Sequence, residues 1–190
     1  MPPKSKFTEE EIISAALAIV ERDGIDGLTA RELGKSLGSS ARPIFTVYDS
    51  MDEVRRGVIA AAKSVYASFV EKGLTERPAF KGVGKAYIEF ATKRPKLFGL
   101  LFMRTDGSAP PVDSVLDMID ESAPRILQSV IDEYALDEKS AKRLYTHLWL
   151  YTHGIATLIA TGVCKFSETE ISDMLTDVFI GLLVKIKSGK

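Results

Sequence analysis

The 190-residue chain is 45% hydrophobic and 27% charged, enough apolar material for a sizeable core, which excludes a wholly disordered or fibrous chain. Its 25 Lys and Arg against 26 Asp and Glu leave a net charge of −1, so no global basic surplus announces a nucleic-acid partner. One cysteine, Cys164, excludes an intrachain disulfide and a cysteine-based zinc cluster, and fits a reducing compartment.

The segment Met1 to Phe7 carries basic residues with no apolar run behind them and is not a secretory signal. Uninterrupted apolar stretches reach about six residues, far short of the roughly 20 that span a bilayer. The expected protein is soluble and cytoplasmic, with no membrane partner.

The elements that follow are all helical, about nine in number. Thr8 with Glu11 forms a capping box, and Ile12, Ala16, Ile19 and Val20 recur at helical spacing until Gly24. A second box, Thr29 with Glu32, opens a short helix to about Leu37, closed by Gly38. Ser40 is expected to cap a third short helix over about residues 40–46, with Pro43 in its first turn. Ser50 with Glu53 opens a long helix that Gly73 should stop near Lys72. Pro78 begins a helix to Arg94, and Pro95 begins a brief one to Met103. The stretch 105–111 (TDGSAPP) reads as a loop, and Val112–Tyr134 as a helix with an irregularity at Pro124. Asp137 caps a long helix to about Thr161, and a fourth box, Ser167 with Glu170, opens the last, to about Lys187. No alternating strand pattern is present. The expected fold class is all-α: a three-helix unit over residues 1–54, then a helical domain over 55–190.

Residues 29–46 are the informative part. Two short helices about a glycine turn form a helix-turn-helix, whose second helix suits the major groove of DNA. Many helical proteins share that bare pattern. Phe7-Thr8, Gly24, Leu28-Thr29-Ala30-Arg31-Glu32-Leu33 and the run from Leu37-Gly38-Ser39-Ser40 through Tyr48 to Val54 narrow it. Together they resemble the opening of the TetR family of bacterial transcriptional regulators. Tyr87-x-x-Phe90, Pro95-x-Leu97-Phe98 and Trp149-x-x-x-His153-Gly154 resemble a class of C-terminal ligand domain in that family.

The resemblance implies a homodimer whose two third helices enter successive major grooves of an operator, about 34–36 Å apart. It also implies a small-molecule effector that binds the C-terminal domain and releases the DNA. Repression rather than activation is the family's habit. On this reading Arg31, Ser40, Ala41, Arg42, Phe45 and Thr46 face DNA, and Lys4 and Lys6 form an arm reaching phosphates. Arg42 is the basic side chain of the third helix, and a guanidinium suits guanine or phosphate. Thr46 offers a hydroxyl and a methyl to base edges. Three departures subtract phosphate affinity. Phe45 stands where the family has a phosphate-touching tyrosine, Met51 where it has lysine, and Asp49 adds a negative charge. Residues 1–56 carry eight basic and ten acidic side chains, 8 − 10 = −2, although Arg31, Lys35 and Arg42 form a local positive strip.

Tyr87, Phe90, Phe98, Phe102, Met118, Trp149 and His153 are aromatic, flexible or polar side chains suited to an apolar effector cavity, and core packing is the alternative for each. The last helix carries an apolar stripe expected to be buried: Ile171, Leu175, Val178, Phe179, Leu182, Leu183 and Ile186. The helix before it is apolar on more than one side. Leu148, Tyr151, Ile155 and Leu158 are therefore assigned, with Ile171, Leu175, Val178, Phe179 and Leu182, to a four-helix dimer core. Gly154, Ala156 and Ala160 would let helices approach closely.

No phosphate-cradling glycine loop, metal-ligand spacing or nucleophile with its base is present, so no enzyme and no cofactor are expected. His147 and His153, six residues apart, fall on different helix faces and are not a metal pair. The alternative reading is a dimeric helical ligand-binding or adaptor protein with a degenerate DNA-binding unit.

Overall fold

A computed structural model describes residues 6–103, 111, 112, 116 and 121–189. Among them there is no strand. The α-helices are α1 (Glu9–Asp23), α2 (Ala30–Ser36), α3 (Met51–Leu74), α4 (Ala79–Lys93), α5 (Pro95–Phe102), α6 (Ala123–Tyr134), α7 (Glu138–Ala160) and α8 (Glu168–Lys187). Short 3-10 helices occupy Ile25–Gly27 and Ile44–Thr46.

Local chemistry sets most boundaries. Thr8 and Ser167 form reciprocal capping boxes with Glu11 and Glu170 at the starts of α1 and α8. The box at Thr29 is half made: its hydroxyl accepts from Glu32 N, while Glu32 Oε1 lies 3.4 Å from Arg22 instead. At Ser50, the Glu53 carboxylate reaches one residue further back and accepts from Asp49 N at 2.7 Å. Gly24, at φ 81°, ends α1 in a conformation that a side chain would resist.

Three boundaries differ from expectation. Gly73 does not stop α3, which continues to Leu74. Its missing side chain serves a crossing instead: a Cβ there would lie 2.8 Å from Gly82 backbone in α4. The irregularity at Pro124 is a helix start, because Glu121-Ser122 form a turn and Pro124 sits in the first turn of α6, where it needs no N–H partner. The third short helix is a single 3-10 turn. The turn starts at Ile44 with Pro43, which has no side-chain acceptor, in the cap position, so the expected cap by Ser40 is not made.

The described residues pack into two compact units. The first comprises those of Met1–Tyr66 with Arg94–Arg104, the second those of Ala67–Lys93 with Thr105–Lys190. In the first, Ile12, Ala16, Ile19 and Val20 of α1 meet Leu28, Leu33, Ile44, Val54 and Val58, all fully buried or nearly so. α5 packs on α1, inserting Leu97 and Phe98, and Arg94 Nη1 pairs with Glu21 at 2.9 Å. Each of those two apolar side chains contributes about 1.5–3 kcal/mol by leaving water.

In the second unit α7 is the hub, packed by α4, α6 and α8. Its Leu144, Tyr145, Leu148, Ile155 and Ala156 are buried, facing Phe80, Val83, Tyr87 and Phe90 of α4 and Ile126 and Val130 of α6. Glu133 of α6 reaches the start of α4, where its carboxylate accepts from Ala79 N at 2.5 Å and Phe80 N at 3.4 Å. Arg125 of α6 grips Glu71 with both terminal guanidinium nitrogens.

The stripe on α8 is not buried as expected, for no residue of that helix is buried within the chain. Phe179 meets Tyr134 with ring centroids 5.0 Å apart, but Ile180 and Val184 are 52% and 62% exposed. α8 leans on α7 along one side and leaves the rest of its apolar surface open.

Candidate functional site

The loop after α2 begins with paired hydrogen bonds: Gly38 N donates to Lys35 O and Ser39 N to Gly34 O. This arrangement satisfies two carbonyls at the helix end and requires the left-handed φ of +63° that Gly38 supplies. The chain then crosses directly over Gly34, where a Cβ would sit 2.8 Å from Ala41 N. Turns led by Ile44 N to Ala41 O and Tyr48 N to Ile44 O carry the segment 41–48, and Ile44 anchors it in the core.

That anchoring leaves one side outside. Arg31, Ser40, Arg42, Phe45 and Thr46 are exposed, Phe45 by 45%, and Ala41 is half-buried. Thr46 donates its hydroxyl proton to Pro43 O at 2.7 Å, so it offers a partner only lone pairs and a methyl. Lys6 Nζ lies 3.0 Å from Ser39 Oγ, which ties Lys6 to the turn. Lys4 lies outside the described residues.

The charges sort themselves. Among the described residues between 6 and 60, Arg22 pairs with Asp23 and Glu32, Arg55 with Asp52, and Arg56 with Glu53. Beside Arg22, Asp23 is held below the ordinary carboxylate range. Arg31, Lys35 and Arg42 have no such partner there, and Lys6 meets a hydroxyl. The net charge of the segment is thus a poor guide to the charge around the turn, where Arg31, Lys35 and Arg42 lack carboxylate partners among the described residues.

In the second unit, Tyr87, Trp149 and His153 come together. Tyr87 Oη is 2.9 Å from His153 Nδ1, and the His153 ring stacks on Trp149 at 5.0 Å and 20°. Burial pushes the imidazole below its ordinary pKa, so it is neutral at pH 7. Thr157, one turn beyond His153, has a buried hydroxyl with no hydrogen-bond partner. A row Trp149–His153–Thr157 on α7, facing Tyr87 of α4, can accept and donate hydrogen bonds inside apolar surroundings. Phe90 is fully buried against Phe69 at 5.4 Å and serves as core. Phe98 and Phe102 join Tyr66 in the first unit. Met118 lies outside the described residues. No group of three or more metal-ligating side chains occurs among those described.

Of the expected dimer residues, Leu148 and Ile155 are already covered within the chain. Tyr151, Ile171, Leu175, Val178, Phe179 and Leu182 are half-buried, and Leu158 is 36% exposed. The open apolar side chains also include Leu150, at 46%, with Ile180 and Val184. Leu150, Gly154 and Leu158 are spaced by four on α7, and a Cβ at Gly154 or Gly181 would meet nothing within 4 Å. Sequence reasoning missed Leu150, Ile180, Val184 and Thr157. The apolar periphery of both helices signalled the first three, whereas nothing in sequence distinguished Thr157 from a solvated threonine.

No described helix is long and apolar enough to cross a membrane. Residues 80–181 match the family model of the tetracyclin repressor-like C-terminal domain. Two similar proteins carry the name uncharacterized HTH-type transcriptional regulator. One, from Mycobacterium tuberculosis (strain ATCC 25618 / H37Rv), is 26% identical over 97% of this chain and 82% of its own length. The other, from Bacillus subtilis (strain 168), is 20% identical over 99% of each chain.

Proposed function

The chain belongs to the tetracyclin repressor-like family of transcriptional regulators, and from that premise we propose that it is a homodimeric repressor released from its operator by a small molecule. Residues 1–54 bind double-stranded DNA through Arg31, Ser40, Ala41, Arg42, Phe45 and Thr46, with Lys4 and Lys6 as an arm. The observation that carries this reading is the distribution of cations: those of the helix-turn-helix lack carboxylate partners among the described residues while their neighbours are paired. Residues 55–190 bind the effector and join the two subunits. Tyr87, His153 and the buried Thr157 hydroxyl support recognition of a molecule with both apolar surface and hydrogen-bonding groups. The exposed face of Leu150, Leu158, Ile180 and Val184 supports a helical dimer core. Such a regulator is non-enzymatic and works in the cytoplasm, where its DNA is.

The test is binding to the duplex immediately upstream of its own gene, against a scrambled duplex, over a range of salt. A tight, selective complex with a steep salt dependence is expected. Weak binding without selectivity would mean that Phe45, Asp49 and Met51 have cost the chain its operator, and would favour the ligand-binding adaptor.

A further inference from the structure

Trp149, His153 and Thr157 stand four residues apart on α7 and share one face. A threonine inside a helix commonly returns its hydroxyl to the carbonyl four residues back. Thr92, Thr152 and Thr176 do so, at 2.9, 2.7 and 2.7 Å. Thr157 does not: its Oγ1 is buried and has no hydrogen-bond partner within the chain. A buried hydroxyl left unmet costs free energy that a partner would recover. An incoming oxygen at this place would therefore gain a bond that the chain itself does not make.

The charges of the surrounding helices are engaged or exposed. From Leu144 to Cys164 the sequence has no Asp, Glu, Lys or Arg. Lys142 and Arg143, the last cations before that stretch, stand about 20 Å of helix from Thr157. On α4, Lys85 pairs with Glu76, Glu89 pairs with Lys72 and Lys93, and Lys81 is exposed. On α6, Arg125 pairs with Glu71, Asp132 accepts from Gln128, and Glu133 caps α4. Every charged residue of α8 is exposed. A carboxylate or ammonium held at Thr157 would thus find no opposite charge beside it among the described residues, and an unpaired charge out of water is strongly disfavoured.

We infer that Trp149, His153 and Thr157 receive an uncharged, largely apolar molecule carrying an alcohol or carbonyl oxygen, and that Thr157 anchors that oxygen. This rests on the effector-binding reading and fixes the chemical class of its ligand.

Trp149 is the single tryptophan of the chain, so the intrinsic fluorescence of the full chain reports on this row directly, with no DNA present. The probes are octanol, octanoate and octylamine, alike in apolar length and different in charge at pH 7. Octanol is expected to change the emission saturably, and the two ions to bind about a hundredfold more weakly or worse. Thr157→Val keeps the shape of the side chain and removes the hydroxyl. It should melt no lower than wild type and bind octanol about tenfold more weakly. Octanoate or octylamine binding as tightly as octanol overturns the uncharged class and leaves the effector-binding reading standing. A Thr157→Val chain that binds octanol like wild type, or melts well below it, overturns the anchor. No saturable response of Trp149 to any of the three overturns both.

Discussion

Replacing Arg42 by alanine probes the base-reading segment directly. The side chain is exposed and has no carboxylate partner among the described residues, so its removal leaves no buried charge unpaired and spares the fold. If each guanidinium grips one guanine with both arms, each head loses about 1–3 kcal/mol of discrimination. Two heads lose about 2–6 kcal/mol, which is about 30-fold to 20,000-fold in affinity for the upstream duplex. Binding to a scrambled duplex changes far less, by the loss of one charge per head. Arg42→Lys sharpens the contrast: it keeps the charge and the salt slope but lacks the planar fork, so selectivity falls while non-selective binding persists. Fluorescence anisotropy with both duplexes at 150 mM salt measures the two affinities, and circular dichroism and sedimentation verify fold and assembly. Unchanged affinity of Arg42→Ala for the upstream duplex would refute the assignment of Arg42 to base reading.

Three further predictions rest on other contacts. The unfolded chain binds a proton at His153 more readily than the folded chain, so this residue's contribution is intact above pH 6.5, the ordinary imidazole value, and stability declines as pH falls below it. His153→Gln should flatten the melting temperature over that window, and a profile parallel to wild type would count against the buried neutral imidazole. Ile180→Glu places a carboxylate on the open face of α8 and should weaken a dimer by about 3 kcal/mol or more, over a hundredfold in Kd. Sedimentation at micromolar concentration should then find monomers, and a persisting dimer would move the interface elsewhere. Gly34→Ala forces a Cβ to 2.8 Å from the Ala41 and Ser40 backbone and should cost about 1–3 kcal/mol by overpacking. Thermal melting would expose the error if the variant proved as stable as wild type.

The helical class and most helix starts were legible because their causes are local. A hydroxyl three residues ahead of a glutamate meets its backbone partner within one turn, and Thr8 and Ser167 do so in both directions. The helix-turn-helix was legible for a related reason: Gly38 and the spacing from Thr29 to Ile44 concern neighbours in the chain. The third helix was misjudged at the same range. Pro43 was expected in the first turn of a helix capped by Ser40, but it stands at the cap position of a single 3-10 turn that begins at Ile44.

Other features depended on distant partners. The start of α4 is satisfied by Glu133, 54 residues away, and Gly73 marks a crossing with Gly82 rather than a helix end. The net charge of −2 over residues 1–56 is an average, and only the folded chain shows that Arg22, Arg55 and Arg56 are paired whereas Arg31, Lys35 and Arg42 have no carboxylate partner among the described residues. Phe98 was grouped with Tyr87 because both are aromatic, and packing assigns Phe98 to α1 and the first unit.

By itself, then, the sequence determined most helical elements, since capping, periodicity and glycine turns act between residues a turn apart, while the helix-turn-helix was singled out by its resemblance to the TetR family. Tertiary structure alone decided which cations remain unpaired, which aromatics meet His153 and which apolar side chains of α7 and α8 stay open. Those outcomes depend on contacts between elements that lie tens of residues apart, and no local spacing encodes them.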